Sequence, residues 1–343
     1  MLDSDRWVVA GLDNGGTSNN ATLLDSAGKF LVDRLAESPS CVREGPDRGV
    51  EALAESLARV LELTGTDPAL VRAVGLDTPG PSSADGVIAA NGAANFAHPD
   101  WRGFDVRSAL EARIGIPVVY NNDGNAAALY AHYLNYGEDE AQQRSSVAAI
   151  IGTGLGGAVI DRGRVVTGAT GMAGEFGHVW IPMQGLLAED QPVPVCNCGL
   201  AADAESIASL TGITKNLLPY WLTRYPGHQL SQEPLGQAAK RVRGLGEAGD
   251  PLALSIFRQQ AMAIGRLFTI AASFTDPDLY FVGGGVVEAA PHFRDWFLEQ
   301  VREHTALRQE QAAATSIALV PDLDMAGARG SAIAALEAVR HRQ

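Results

Sequence analysis

Cysteine is scarce in this chain: three in 343 residues. Three thiols cannot all pair, and Cys196 and Cys198, one residue apart, would close a strained ring, so a disulfide framework is excluded. Basic residues are also in deficit. Lys and Arg number 26 against 40 Asp and Glu, for a formal net charge of −14. Nucleic acid and anionic membranes both attract a basic face, so neither is an expected partner. The one short basic run, Lys240-Arg241-Val242-Arg243, reads as a solvated helix face. No apolar stretch approaches membrane-spanning length. The first residues are acidic where a secretory signal is basic, and the apolar run at 7–12 is too short for its core. A cytoplasmic protein is expected.

What is present is ample apolar material, 46% of residues, in a chain longer than one compact core usually takes. Two domains are therefore expected, residues 1–121 with 324–343 and residues 122–323. An apolar run at 7–12 meets Asp13-Asn14-Gly15-Gly16-Thr17, and apolar character resumes at 21–24. The same design returns at 147–151, where Gly152-Thr153-Gly154-Leu155-Gly156-Gly157 leads into 158–160 and a turn at Asp161-Arg162-Gly163-Arg164. Each reads as strand, glycine turn, strand, so the spacing points to duplicated α/β domains facing a shared cleft. Between them, residues 50–63 carry amphipathic helical spacing. Strands are predicted at 73–76, 116–120 and 279–282, and helices from the alanine run after Asn125 to about Leu134, at 262–274 and at 326–339. Residues 137–144 read as a surface linker.

The turns suit phosphate. Glycine lets backbone N–H groups approach an oxygen without a Cβ in the way, and the Thr17 hydroxyl adds a donor. Asp13 can hold Mg²⁺, usually through water. The competing reading of Asn14-Gly15 is a plain hairpin turn. Gly152, Gly154 and Gly157 spell G-x-G-x-x-G, but an apolar β-branched run follows where a dinucleotide fold needs a helix. P-loop enzymes and protein kinases are excluded because their signatures are missing. Gly283, Gly284 and Gly285 follow a strand, and serve either an adenosine or simple packing. Asn122-Asp123 stands between a strand and a helix start. There a carboxylate can act as general base or merely cap the helix. The helix dipole stabilises its anion, which suits phosphoryl transfer, where orienting a hydroxyl matters more than basicity. Finally, Glu175 and Glu205 can grip polyol hydroxyls, while His178, Cys196, Cys198 and Asp203 make a credible zinc set.

Taken in order across nearly the whole chain, Asp13-Asn-Gly-Gly-Thr17, Thr78-Pro-Gly-Pro81, Asn122-Asp-Gly-Asn125, Gly152-Thr-Gly-Leu-Gly156, Ala173-Gly-Glu-Phe-Gly-His178, Cys196-Asn-Cys-Gly199 and the 283–285 glycines resemble the ROK sugar kinases. The resemblance implies an α/β protein of two actin-like, ribonuclease H-like domains with ATP in the cleft between them, and a homodimer. It implies phosphate loops at Asp13, Gly15, Gly16 and Thr17 and at Gly152, Thr153 and Gly154, with Gly283, Gly284 and Gly285 by the adenosine. Asp123 matches the base, Asn122 stands beside it, and Gly80, Asn95, Glu175, His178 and Glu205 match sugar contacts. His178, Cys196 and Cys198 match ligands of a structural Zn²⁺. The implied activity is ATP- and Mg²⁺-dependent phosphorylation of a hexose, glucokinase-like and at its terminal 6-hydroxyl. N-acetylmannosamine and other hexoses are alternative acceptors.

Three departures stand out. Asp203 occupies the place of a third cysteine and Ala202 that of a glycine; residues 184–194 form an extra loop; Ser18 replaces a frequent lysine. They leave open a sugar sensor with little turnover. A ROK-type repressor would need a DNA-binding segment before Asp13 and a basic surface, and is the weaker expectation.

Overall fold

In the computed structural model, which describes residues 6–80, 82–89 and 96–342, the chain forms two compact units. The first comprises residues 1–143, 162–173 and 321–343; the second comprises 144–161 and 174–320.

The first unit is a sheet of β1 (Val8–Asn14), β2 (Ser18–Asp25), β3 (Ala36–Pro39), β4 (Val71–Thr78) and β5 (Val118–Asn122), in the order β3-β2-β1-β4-β5. β1 and β2 form the expected antiparallel hairpin, while β1, β4 and β5 run parallel. Helix Pro46–Thr64 begins with proline in its first turn and ends on left-handed Gly65, so both ends are written in the sequence. It buries Val50, Leu53, Leu57, Val60 and Leu61. Helix Leu323–Arg340 lies flush on the sheet because Gly11 and Gly75 lack side chains. A Cβ at either would sit 1.9 Å from Ala328 O or 1.8 Å from Ser331 O.

The second unit holds β6 (Ser146–Ile151), β7 (Leu155–Asp161), β9 (Leu279–Gly284) and β10 (Ser316–Leu319), in the order β10-β9-β6-β7. The short β8 (Arg164–Val165) follows β7 after a turn in which Arg162 and Gly163 take φ of 49° and 74°. β6 pairs antiparallel with β7 and parallel with β9, and β9 parallel with β10. Helices Leu235–Glu247, Pro251–Thr275 and Pro291–Glu303 supply its core, with Phe257, Phe268, Phe293 and Phe297 buried.

β7-β6-β9-β10 thus repeats the pairing of β2-β1-β4-β5, the same hairpin followed by the same two parallel neighbours. The expected duplication is present in the topology. Helix Asp123–Ala141 packs within the first unit, where Gly330 lets it approach Leu323–Arg340, so the division falls after Gln143 rather than at 121/122. The helix is interrupted at Gly137, whose φ is 72°, three residues past its expected end. Among the described residues, no helix is long and apolar enough to cross a membrane.

Candidate functional site

In the first unit, the polar residues collect at the carboxyl ends of the parallel strands, where α/β sheets place ligands. Asp13 ends β1, Asp77 and Thr78 end β4, and Asn121 and Asn122 end β5. Asp13 is in register with Asp77, and Asp77 in turn with Asn121. Asn122, not Asp123, is the helix cap: its Oδ1 accepts the Asn125 N–H at 2.7 Å. Asp123 is therefore left exposed in the first turn, with Oδ1 accepting the Gly124 N–H at 2.8 Å. Nearby, the Tyr120 hydroxyl joins Thr78 at 2.5 Å and Ser82 at 2.6 Å, tying β5 to the loop after β4. Gly80 in that loop is exposed. Asn95 lies outside the described residues.

Asp77 was not singled out from the sequence. It is fully buried, with Oδ1 accepting the Ser331 hydroxyl at 2.8 Å and Oδ2 without a hydrogen-bond partner. Burial, reinforced by the neighbouring Asp13 charge, pushes its carboxyl well above the usual range. Burial also raises Asp13, and the bond from Asn20 Nδ2, 3.1 Å, partly offsets this. The sequence predicts a strand ending at residue 76, whereas β4 runs through Asp77 to Thr78. The pair is a set of hard oxygen donors suited to Mg²⁺.

Both glycine turns spend their first N–H on closing themselves. Gly15 N–H bonds Ser18 O at 2.9 Å, and Gly152 N–H bonds Gly154 O at 2.9 Å. Among the described residues, the next two N–H groups of each turn have no intramolecular acceptor: Gly16 and Thr17, and Thr153 and Gly154. These are paired donors of the kind that bind an oxyanion. Gly283 and Gly284 read differently: they are buried, and a Cβ on Gly284 would sit 1.9 Å from Ile151 O. Strand packing alone requires them small. Gly285 is half-buried, and its carbonyl accepts Arg243 Nη1 at 2.7 Å.

The second unit also builds the His/Cys/Asp cluster. Glu175 precedes the turn Phe176–His178, and burial raises its carboxyl, with His178 acting in the opposite sense. Cys196-Asn197-Cys198-Gly199 folds into a knuckle closed by Cys196 N–H to Leu200 O at 2.8 Å. His178 Nδ1 lies 3.2 Å from Asp203 Oδ2, 3.6 Å from Cys198 Sγ and 4.0 Å from Cys196 Sγ. Cys198 Sγ lies 3.7 Å from Asp203 Oδ2. A zinc tetrahedron with bonds of about 2.0–2.3 Å has edges of roughly 3.3–3.8 Å; three of these separations come close to it, the 4.0 Å from His178 to Cys196 is longer, and all four donor atoms lie within 4.8 Å of one another. Asp203 is fully buried and serves twice, since its Oδ1 accepts the Ser206 N–H at 2.9 Å.

The structure gives a reason for the glycine that the resemblance implies at position 202. Ala202 adopts φ 64°, the left-handed region that costs a side chain about 1–2 kcal/mol. Ala202→Gly is expected to stabilise the protein by about 1 kcal/mol, net of the entropy glycine adds to the unfolded chain. Denaturant titration showing no gain, or a loss, would contradict this.

Comparison with known proteins agrees with this architecture. The model of the ROK family matches residues 9–338. The chain is 30% identical to the glucokinase of Halalkalibacterium halodurans over 305 residues, 88% of this chain and 86% of that one. It is 31% identical to the N-acetyl-D-glucosamine kinase of Escherichia fergusonii over 284 residues, 80% and 83% of the two chains. Its fold matches the crystal structure of a ROK family glucokinase from Streptomyces griseus, in complex with glucose and AMPPNP. The TM-score is 0.68 at 27% identity, covering 96% of this chain and 99% of that chain. The fold is thus the two-domain, actin-like fold of sugar kinases. Within that class, the chain belongs to the ROK family and is an ATP-dependent sugar kinase.

Proposed function

We propose that this protein phosphorylates a hexose, glucokinase-like, at its terminal 6-hydroxyl. The observation that carries the reading is Asp123: an exposed carboxylate at a helix start, freed from capping by Asn122. In the reaction, the sugar oxygen bonds the γ-phosphorus as the bond to the bridging oxygen breaks. The hydroxyl proton passes to Asp123, and ADP leaves with the bridging oxygen. The transition state is loose, so Asp123 need not be a strong base: it orients the hydroxyl and receives its proton. Gly16 and Thr17, and Thr153 and Gly154, offer N–H groups to phosphate oxygens. Asp13, beside Asp77, would hold Mg²⁺ through water. That ion supplies neutralisation of phosphate charge.

Glu175, His178 and Glu205 are sugar contacts in this reading, and Gly80, Asn95 and Asn122 keep the sugar-contact role that the resemblance gives them. His178 turns Nδ1 to the cluster, which leaves Nε2 for a hydroxyl. His178, Cys196, Cys198 and Asp203 would hold one structural Zn²⁺, four protein ligands leaving no open position for chemistry. The ion braces the segment that carries His178. Gly285 is the member of its triplet placed to meet an adenosine. A cytoplasmic homodimer completes the proposal.

A coupled assay for ADP release with glucose, N-acetylglucosamine, N-acetylmannosamine, mannose, fructose and allose tests the substrate. Glucose is expected to give the highest kcat/KM. A site that bonds each hydroxyl discriminates strongly, because a wrong sugar leaves buried groups unpaired. A clear preference for an N-acetylated sugar would replace glucose as the substrate. No turnover with any sugar would favour a sensor.

A further inference from the structure

Glu205 does more than its sugar-contact role requires. Its Oε2 accepts the N–H of Leu155, the residue next to the Gly152-Thr153-Gly154 turn, at 2.9 Å. Its Oε1 lies 3.2 Å from Cys196 Sγ. The backbone of Glu205 is fixed as well: its N–H donates to Gly177 O at 2.8 Å, and its carbonyl accepts the Ser209 hydroxyl at 2.7 Å. Immediately after Ser209, Leu210 and Thr211 donate their N–H groups to the carbonyls of Gly152 and Thr153, at 2.9 and 3.1 Å. A Cβ on Gly154 would lie 2.6 Å from Glu205 Oε2, so a side chain there would have to displace the carboxylate. The turn is therefore gripped from both flanks by one short segment, and the carboxylate fills the side where Gly154 is bare.

We propose that Glu205 is the positioning residue of this turn: through Leu155 it sets the Thr153 and Gly154 N–H groups for a nucleotide phosphate. It thereby links the cysteine knuckle and the sugar-binding segment to nucleotide affinity. The inference rests on the reading of this turn as a phosphate site. A sugar contact alone requires neither the bond to Leu155 nor the fit against Gly154. The Leu155 N–H keeps its acceptor only while a side-chain oxygen of this reach stands beside it, so losing that oxygen frees the turn to sample other shapes.

The test measures binding of AMPPNP with Mg²⁺ by calorimetry, in the absence of sugar. Glu205→Gln keeps an oxygen acceptor at the same reach and is expected to bind within about threefold of wild type. Glu205→Asp keeps the charge but is one methylene short, and is expected to bind about tenfold more weakly, as is Glu205→Ala. Gly152→Ala controls the turn itself. A Cβ there meets nothing nearer than Gly154 O at 3.9 Å, so it obstructs a ligand and not the protein. Wild-type nucleotide affinity in Glu205→Asp and Glu205→Ala, with loss in Gly152→Ala, overturns the positioning role alone. Wild-type affinity in all of them overturns the phosphate reading of the turn and the inference with it. A loss in Glu205→Gln as large as in Glu205→Ala makes charge, not reach, the cause and also overturns the proposal. General destabilisation would not spare nucleotide binding in Glu205→Gln alone.

Discussion

Asp123→Asn is expected to lower kcat by about 10²–10⁴, the range for losing a positioned acid or base, with sugar affinity within about threefold of wild type. The substitution is shaped to isolate chemistry from folding. Asparagine keeps an oxygen that can accept the Gly124 N–H, now 2.8 Å from Asp123 Oδ1. The helix cap is Asn122, so the helix start does not depend on Asp123. What is lost is the negative charge and the place for the hydroxyl proton. An amide can still bond the hydroxyl but cannot take that proton, so ground-state binding survives while the transition state suffers. Steady-state kinetics with calorimetric sugar binding separates the two. Near-normal turnover would remove Asp123 from the role; equal loss of kcat and of binding would make it a sugar anchor instead.

The second large effect concerns the cluster. Protein purified without chelators is expected to carry one zinc per chain, and Cys198→Ala to lose it. Cys198 suits this test because it is exposed and its sulfur meets the other members of the cluster, His178 and Asp203 among them, so little packing goes with it. Groups that merely support ligands are worth about 10–100-fold in metal affinity, so deleting a ligand should exceed about a hundredfold. The sugar KM should rise about tenfold as the 175–178 turn loses its brace. Elemental analysis reads the first outcome and kinetics the second. Zinc-free wild-type protein would reject the assignment. Zinc retained at full stoichiometry in Cys198→Ala would exclude that thiol as a ligand.

How far the site was legible follows the range of the interactions. The turns at Gly15 and Gly152 were visible because an apolar strand running into a glycine cluster is a local signal, and a hairpin needs no distant partner. The helix after Asn125 was visible through its alanines. The sequence left Asp123 as base or cap, since Asn122 and Asp123 are both good caps; the bond from Asn125 N–H to Asn122 Oδ1 gives the cap to Asn122. Asp77 went unnoticed, because nothing local separates a buried strand acid from an exposed one. Its environment comes from Asp13 across the sheet and Ser331 far along the chain, 254 residues away. The 283–285 glycines were read as one feature, and the packing demand at Gly284, where a Cβ would meet Ile151 O at 1.9 Å, is invisible to any local pattern.

The sequence by itself determined the two glycine-turn hairpins, the helix that carries Asp123 and the residue types of the His/Cys/Asp cluster, since short-range periodicity, turn chemistry and donor type encode them. Tertiary structure alone decided that Asp13 and Asp77 share a strand register, that Ala202 sits in a strained conformation, and that Glu205 grips the Gly152-Thr153-Gly154 turn. Each of those depends on which backbone passes beside which. Contacts between segments distant in the chain settle that, and no local pattern records it.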